Sequence, residues 1–177
     1  MKKIYTMLMM AMMALAFTSC EDEEIARTLE GTWRGNMYIS TSYGGRTYNA
    51  TDTEITFLRD PYTYSSGSGY WVDYYSDAPW DYVANHIDWT VDFGVIYVDF
   101  IEEGTRLEIR DYRLNSDHFY GTIYDHGNHV EFDLYNYRRP SGYYNNYCWG
   151  YDSWYSRTRG ADGIDVEKPV RFVNVNP

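Results

Sequence analysis

Between Leu29 and Tyr137, apolar and polar residues alternate in short runs separated by clusters of Gly, Asp, Asn, Ser or Pro. No stretch there keeps an apolar repeat of 3.6 residues, so the pattern predicts strands and no helix. The expected strands lie near 31–40, 51–58, 68–75, 83–92, 95–102, 106–114, 118–124 and 130–137. The fourth is the clearest: Val83, Asn85, Ile87, Trp89 and Val91 share one face, and Ala84, His86, Asp88, Thr90 and Asp92 share the other. In the eighth, Val130, Phe132 and Leu134 oppose Glu131, Asp133 and Tyr135. One polar face per strand excludes a parallel sheet covered by helices on both sides.

The connections after the fourth strand are tight: Phe93-Gly94, Glu103-Gly104, Asn115-Ser116-Asp117 and Asp125-His126-Gly127-Asn128-His129. Short loops containing Gly or Asn join antiparallel neighbours, so these strands form a meander. Eight meandering strands can close into a barrel, which removes both sheet edges and leaves an interior filled by side chains or holding one small ligand. The segments 41–50 and 59–67 are longer, which keeps a Greek-key sandwich open. Beyond the strands, seven of the fifteen residues of 141–155 are aromatic and are interleaved with Gly, Asn and Ser. Such a segment is either a flap laid over the barrel or a flexible adhesive stretch. Val170-Arg171-Phe172-Val173 is a short strand candidate, so the tail 140–177 is expected to be partly ordered.

At the other end, Lys2 and Lys3 precede the apolar run from Ile4 to Phe17, and Thr18-Ser19-Cys20 follows. A basic start, an apolar run too short to span a bilayer and small residues before a cut site make a secretory signal over 1–19. Phe17-Thr18-Ser19-Cys20 resembles a bacterial lipobox, with Phe17 where Leu is usual. The resemblance implies that Cys20 becomes the first residue of the mature chain and carries thioether-linked diacylglycerol and an N-acyl chain. Several acyl chains at ~0.8 kcal/mol per buried CH₂ anchor a protein stably in a bilayer. Glu21-Asp22-Glu23-Glu24 follows directly. The run reads as a solvated, self-repelling tether over 20–28. It also resembles the acidic export tag of Bacteroidota-type lipoproteins, which implies an outer-membrane lipoprotein displayed on the cell surface.

Composition narrows the partners. The chain has 177 residues, enough for one domain of ordinary size. It carries 26 acidic against 15 basic residues, and removal of 1–19 would leave 13 basic ones and a net charge of −13. That field repels phosphate polymers, so no nucleic-acid partner is expected. Aromatics make up 19% of the chain, with 21 Tyr, which argues for strands and against disorder. With only Cys20 and Cys148, no disulfide scaffold exists.

Gly31-Thr32-Trp33 at the opening of the first strand resembles the Gly-x-Trp signature of the lipocalins. The residues Trp89-Thr90-Val91, Ile96-Tyr97-Val98, Ile109 to Leu114 and Phe119-Tyr120-Gly121 resemble the lipocalin-like domain of Bacteroidota lipoproteins. The resemblance covers 29–137 and implies an all-β, eight-stranded antiparallel up-and-down barrel over 29–139. It also implies an arginine just beyond the last strand, packed on Trp33, and Arg138 stands at the matching place with Arg139 beside it. A barrel this short is smaller than a full lipocalin, which argues against a lipid-sized cavity.

In an up-and-down barrel, loops alternate between two ends. The end opposite Trp33 would gather Tyr43, Arg46, Tyr48, Trp80, Glu102, Glu103, His126 and His129 into a mouth. There Tyr43, Tyr48 and Trp80 present apolar faces to a ligand, Arg46 pairs an acidic group, and His126 completes the candidate set. Asp125, His126 and His129 have the spacing of metal donors, but a turn requires the same letters for its own backbone, so no metal is expected. No nucleophile, phosphate-loop or dinucleotide motif occurs and no pair of carboxylates stands out, so the sequence points away from an enzyme and calls for no cofactor. Two functions remain. A membrane-anchored, lipocalin-like barrel binds a small apolar or amphipathic ligand at its mouth, or a solid barrel binds glycans or a partner protein through exposed Tyr and Trp. A void of a few hundred Å³ reached from 43–48 and 80 would favour the first, and a packed interior the second.

Overall fold

The computed structural model describes residues 20–137, 147–151 and 169–174. The signal 1–19 and Arg138 and Arg139 lie outside the described residues. Ten strands are present among those described: β1 Gly31–Asn36, β2 Ile39–Tyr43, β3 Arg46–Arg59, β4 Ser66–Tyr75, β5 Tyr82–Asp92, β6 Val95–Phe100, β7 Thr105–Leu114, β8 His118–Asp125, β9 Asn128–Asn136 and β10 Val170–Val173. From β3 to β9 each strand pairs antiparallel with the next, and β1 pairs with both β3 and β9, which closes an eight-stranded antiparallel barrel.

The eight expected strands are all there, with two differences. The first strand is broken: Tyr38 takes a positive φ of 50°, and the Asn36 side chain accepts its amide. The segment 41–50 is no long loop but a hairpin, turned at Gly44-Gly45, whose φ angles of 57° and 73° suit glycine and match the twist of paired strands. The break divides the closure between two partners. In one half of the barrel β1 pairs with β9, and in the other β2 pairs with β10.

The expected inward faces pack the interior. Trp33, Ile55, Phe57, Trp71, Ile87, Trp89, Ile109 and Phe119 are almost wholly buried. Phe57 and Trp89 meet edge to face at 5.5 Å, as do Trp33 and Phe119 at 5.7 Å. β4 is glycine where it passes closest to the β3 backbone. A Cβ on Gly69 would fall 1.9 Å from the Thr56 carbonyl oxygen, and one on Gly67 would fall 2.0 Å from that of Leu58. The two glycines let β4 bend sharply over β3, the device that curls a sheet into a barrel.

Residues 20–29 form a helix, which we call α1, where an extended tether is expected over 20–28. Ala26 and Leu29 are buried and Ile25 packs beside them, with Asp22 buried on the same face, a stripe in ten residues too short to register as a period along the chain. The acids of its first turn suit the positive end of the helix dipole. The Trp33 indole donates to the Leu29 carbonyl at 2.7 Å, which caps the helix end. The Asp22 carboxylate accepts the amides of Phe93 and Gly94 at 3.1 and 2.8 Å, so α1 is tied to the β5–β6 turn and covers this end of the barrel. No helix among the described residues is long and apolar enough to cross a membrane.

Candidate functional site

The end opposite α1 gathers the β2–β3, β4–β5, β6–β7 and β8–β9 turns, as expected of the mouth. Trp80, only 6% exposed, sits at its centre. It meets Tyr43, Tyr48, Tyr75 and Tyr151 edge to face, with centroids 5.7–5.9 Å apart. Tyr43, Tyr48 and Trp80 therefore come together, but as a plug whose rings pack on one another. Arg46 is exposed at the start of β3 and takes no part in the plug.

The tail supplies one of those rings. It leaves β9 at the α1 end: Asn136 pairs with Trp33, and the Tyr137 amide donates to the Thr32 carbonyl at 2.7 Å. By residue 147, however, it lies along the outer wall towards the mouth. Trp149 stacks on Tyr70 and on His86, and the Gly150 amide donates to the Ala84 carbonyl at 2.6 Å. Tyr151 then turns inwards, and its hydroxyl and that of Tyr75 share the Thr41 hydroxyl at 2.7 and 2.8 Å. Of the two readings of the aromatic segment, residues 147–151 are the flap.

Below the plug lies a polar knot that inspection of the sequence missed. The Asp73 carboxylate, wholly buried, accepts from Thr53 at 2.7 Å and from the Trp71 indole at 2.9 Å, and it pairs with Arg171 of β10. The Arg171 guanidinium lies 4.1 Å from the Phe100 ring centre and 4.9 Å from that of Trp71. Burial by itself would lower the Arg171 pKa, but the charges of Asp73 and Glu103 outweigh it and hold the group firmly protonated. Burial, with the Asp73 charge added, raises the Tyr75 hydroxyl well above its usual range, and burial likewise raises that of Tyr151. These phenols stay neutral hydrogen-bonding groups at any physiological pH. The signal was legible in part: Asp73 alternates in phase with Trp71 and Tyr75 on a strand face that must point inwards.

Beside β10 the wall is incomplete. A cleft of about 260 Å³ runs between β10 and the β6–β7 and β8–β9 turns, lined by Ile39, Phe100, Leu107, Phe172, Arg171 and His126. Of the expected mouth set, Glu103 and His126 border it. The Arg171 Nε atom is buried without a hydrogen-bond partner among the described residues. Asp125 contacts the His126 ring at 2.5 Å, whereas His129 turns aside to stack on Tyr124 with centroids 5.6 Å apart, so these three side chains do not converge. Glu102 also turns away, onto the His86 amide and ring, while Glu103 accepts from Asn85 at 2.8 Å.

The outer wall of β8 and β9 carries a second aromatic group, solvent-facing. His118 and Tyr135 stack with centroids 4.6 Å apart and planes 6° from parallel, and Tyr120 adjoins His118 at 4.9 Å. Tyr120 and Tyr135 are exposed, and Asp133 holds the His118 ring.

The molecule is thus a closed antiparallel barrel with a filled interior, an aromatic plug and an aromatic outer wall. No protein-family model matches the chain, and no curated protein matches it. Among solved structures, a redesigned β-barrel is similar, with a TM-score of 0.39 and 11% identity over 64% of this chain and 95% of that one.

Proposed function

We propose that this chain is a lipid-anchored recognition module of the bacterial outer membrane, related to the lipocalin-like lipoproteins, whose solid barrel binds glycans through its outer aromatic wall and catalyses no reaction. The observation that carries the reading is the exposed Tyr120, His118 and Tyr135 group on a barrel whose axis is blocked by Trp80. Sugar rings lay their C–H faces on flat aromatic side chains and offer hydroxyls to neighbouring polar groups, here Asp133, Glu131 and Arg113 beside the rings. A second reading, a small amphipathic ligand, rests on the 260 Å³ cleft beside β10 and the unpartnered Arg171 Nε.

One experiment separates the two. The chain purified from its own host is examined by native mass spectrometry and then applied to a glycan array. Glycan binding that falls at least about tenfold, or 1.4 kcal/mol, in Tyr120→Ala and Tyr135→Ala is the expected result. Both residues are exposed, so thermal stability should change little. No glycan retained by the wild type, together with a small molecule carried through purification, would replace the first reading with the second.

The anchor has its own test. Cys20→Ser should abolish acylation and leave residues 1–19 attached, so that the intact mass loses the acyl groups and gains the signal. A wild-type chain whose intact mass carries no acyl group would refute the anchor.

A further inference from the structure

The α1 end of the barrel carries a rim of exposed aromatic side chains that the fold does not use. Tyr62 is 87% exposed, Phe93 67% and Tyr64 55%, at the tips of the β3–β4 and β5–β6 turns. The two tips are neighbours, since the Val91 amide donates to the Ser65 carbonyl at 2.8 Å. Phe93 and Tyr64 both occupy left-handed backbone, with φ of 49° and 64°, a conformation that bulky side chains rarely adopt. The chain therefore holds two aromatic rings out to solvent in positions where Asn or Gly would fit the turn better.

Cys20 opens α1 at this same end. Two residues later, Asp22 is bound to the amides of Phe93 and Gly94. The helical rise of ~1.5 Å per residue leaves no slack between Cys20 and the rim. An acyl group on Cys20 would thus enter the bilayer beside Phe93, with no flexible spacer to lift the barrel away.

We propose that Tyr62, Tyr64 and Phe93 form a foot that rests in the interfacial layer of the lipid surface, so that the barrel stands with α1 on the membrane and the Trp80 plug away from it. The inference rests on acylation of Cys20. Aromatic side chains favour that layer because their rings are apolar while the tyrosine hydroxyls stay wet. The charge around the foot specifies the lipid further. Glu21, Glu23, Glu24, Asp60 and Asp92 lie in or beside the elements that form this end and outnumber Arg27 of α1 and Arg59, the latter already paired with Glu30. The foot suits zwitterionic or uncharged head groups and not an anionic surface.

The test uses the full chain produced with its own signal in cells that acylate lipoproteins, and carrying Cys148→Ser. Nitroxide labels are placed through Tyr62→Cys, Tyr64→Cys or Phe93→Cys, with His126→Cys at the mouth as the control. In phosphatidylcholine vesicles, the ratio of oxygen to aqueous nickel-chelate collisions should be several-fold higher at 62, 64 and 93 than at 126. Near-ultraviolet dichroism confirms that each labelled protein is folded, and the intact mass reports acylation. Acylated protein whose rim labels match position 126 overturns the foot alone. A mature chain without acyl groups overturns both the anchor and the foot.

Discussion

Replacing Trp33 by Ala is expected to destabilise the barrel by about 3–5 kcal/mol, the cost of removing a large buried aromatic ring. Few side chains here join as many parts. The indole is fully buried on β1, opposite Ile55 of β3 and Asn136 of β9, packs on Phe119 of β8 and caps α1 through the Leu29 carbonyl. For a chain of this size each kcal/mol corresponds to roughly 2–4 °C, so the melting temperature should fall by about 6–20 °C. Trp33→Phe separates packing from capping. It keeps most of the ring volume but leaves the Leu29 carbonyl without its donor, and should cost about 1–2 kcal/mol. Thermal unfolding followed by circular dichroism measures both, and a wild-type melt for Trp33→Ala would show that the helix and the barrel seam do not depend on this ring.

Breaking the Asp73–Arg171 pair should have a comparable effect by a different route. Arg171→Met leaves the Asp73 carboxylate in the interior with only its neutral donors, Thr53 and Trp71, and losing one partner of a buried ion pair costs about 3–5 kcal/mol. Because β10 is held through β2, the chain has an escape: the strand can detach and let water reach Asp73. The loss measured by denaturant unfolding is then capped by the free energy of releasing β10, and hydrogen exchange should quicken at the amides of 39–43 and 170–173. Adding Asp73→Asn to Arg171→Met removes the stranded charge while keeping an acceptor for Thr53 and Trp71, and should recover much of the loss. A double variant as unstable as the single one would show that packing of the Arg171 stem, and not the charge, holds β10 in place.

The parts of this fold legible in the sequence are those that rest on two-residue alternation. Each strand of the barrel buries one face, so Val83 to Val91 and Val130 to Leu134 announced themselves. The α1 helix did not, because three buried positions in ten residues, beginning among four acids, look like a solvated run until something is there to receive Asp22. The fracture at Tyr38 was hidden for a different reason: two-residue alternation does not register a bond from the Tyr38 amide to the Asn36 side chain, and the Asn174 amide that donates to the Tyr38 carbonyl comes from beyond β10. Among the site residues, the grouping of Tyr43, Tyr48 and Trp80 followed from topology, but whether an aromatic ring at a barrel mouth faces a ligand or another ring depends on what else reaches it. Here it is Tyr151, distant in the chain and brought in by the flap.

The division of the seam between β9 and β10 sets an order on the chain's assembly. Residues 39–42 emerge from the ribosome well before their partners 170–173, with all of β3 to β9 made in between. Every pairing from β3 to β9 forms between neighbours in the chain, whereas this one must close a loop spanning nearly the whole domain, a step that is intrinsically slow. Until it happens, Asp73 lacks its cation and the edge of β2 lies open. A nascent chain therefore cannot lock its mouth until residues 170–173 have been made, however early the rest of the barrel pairs.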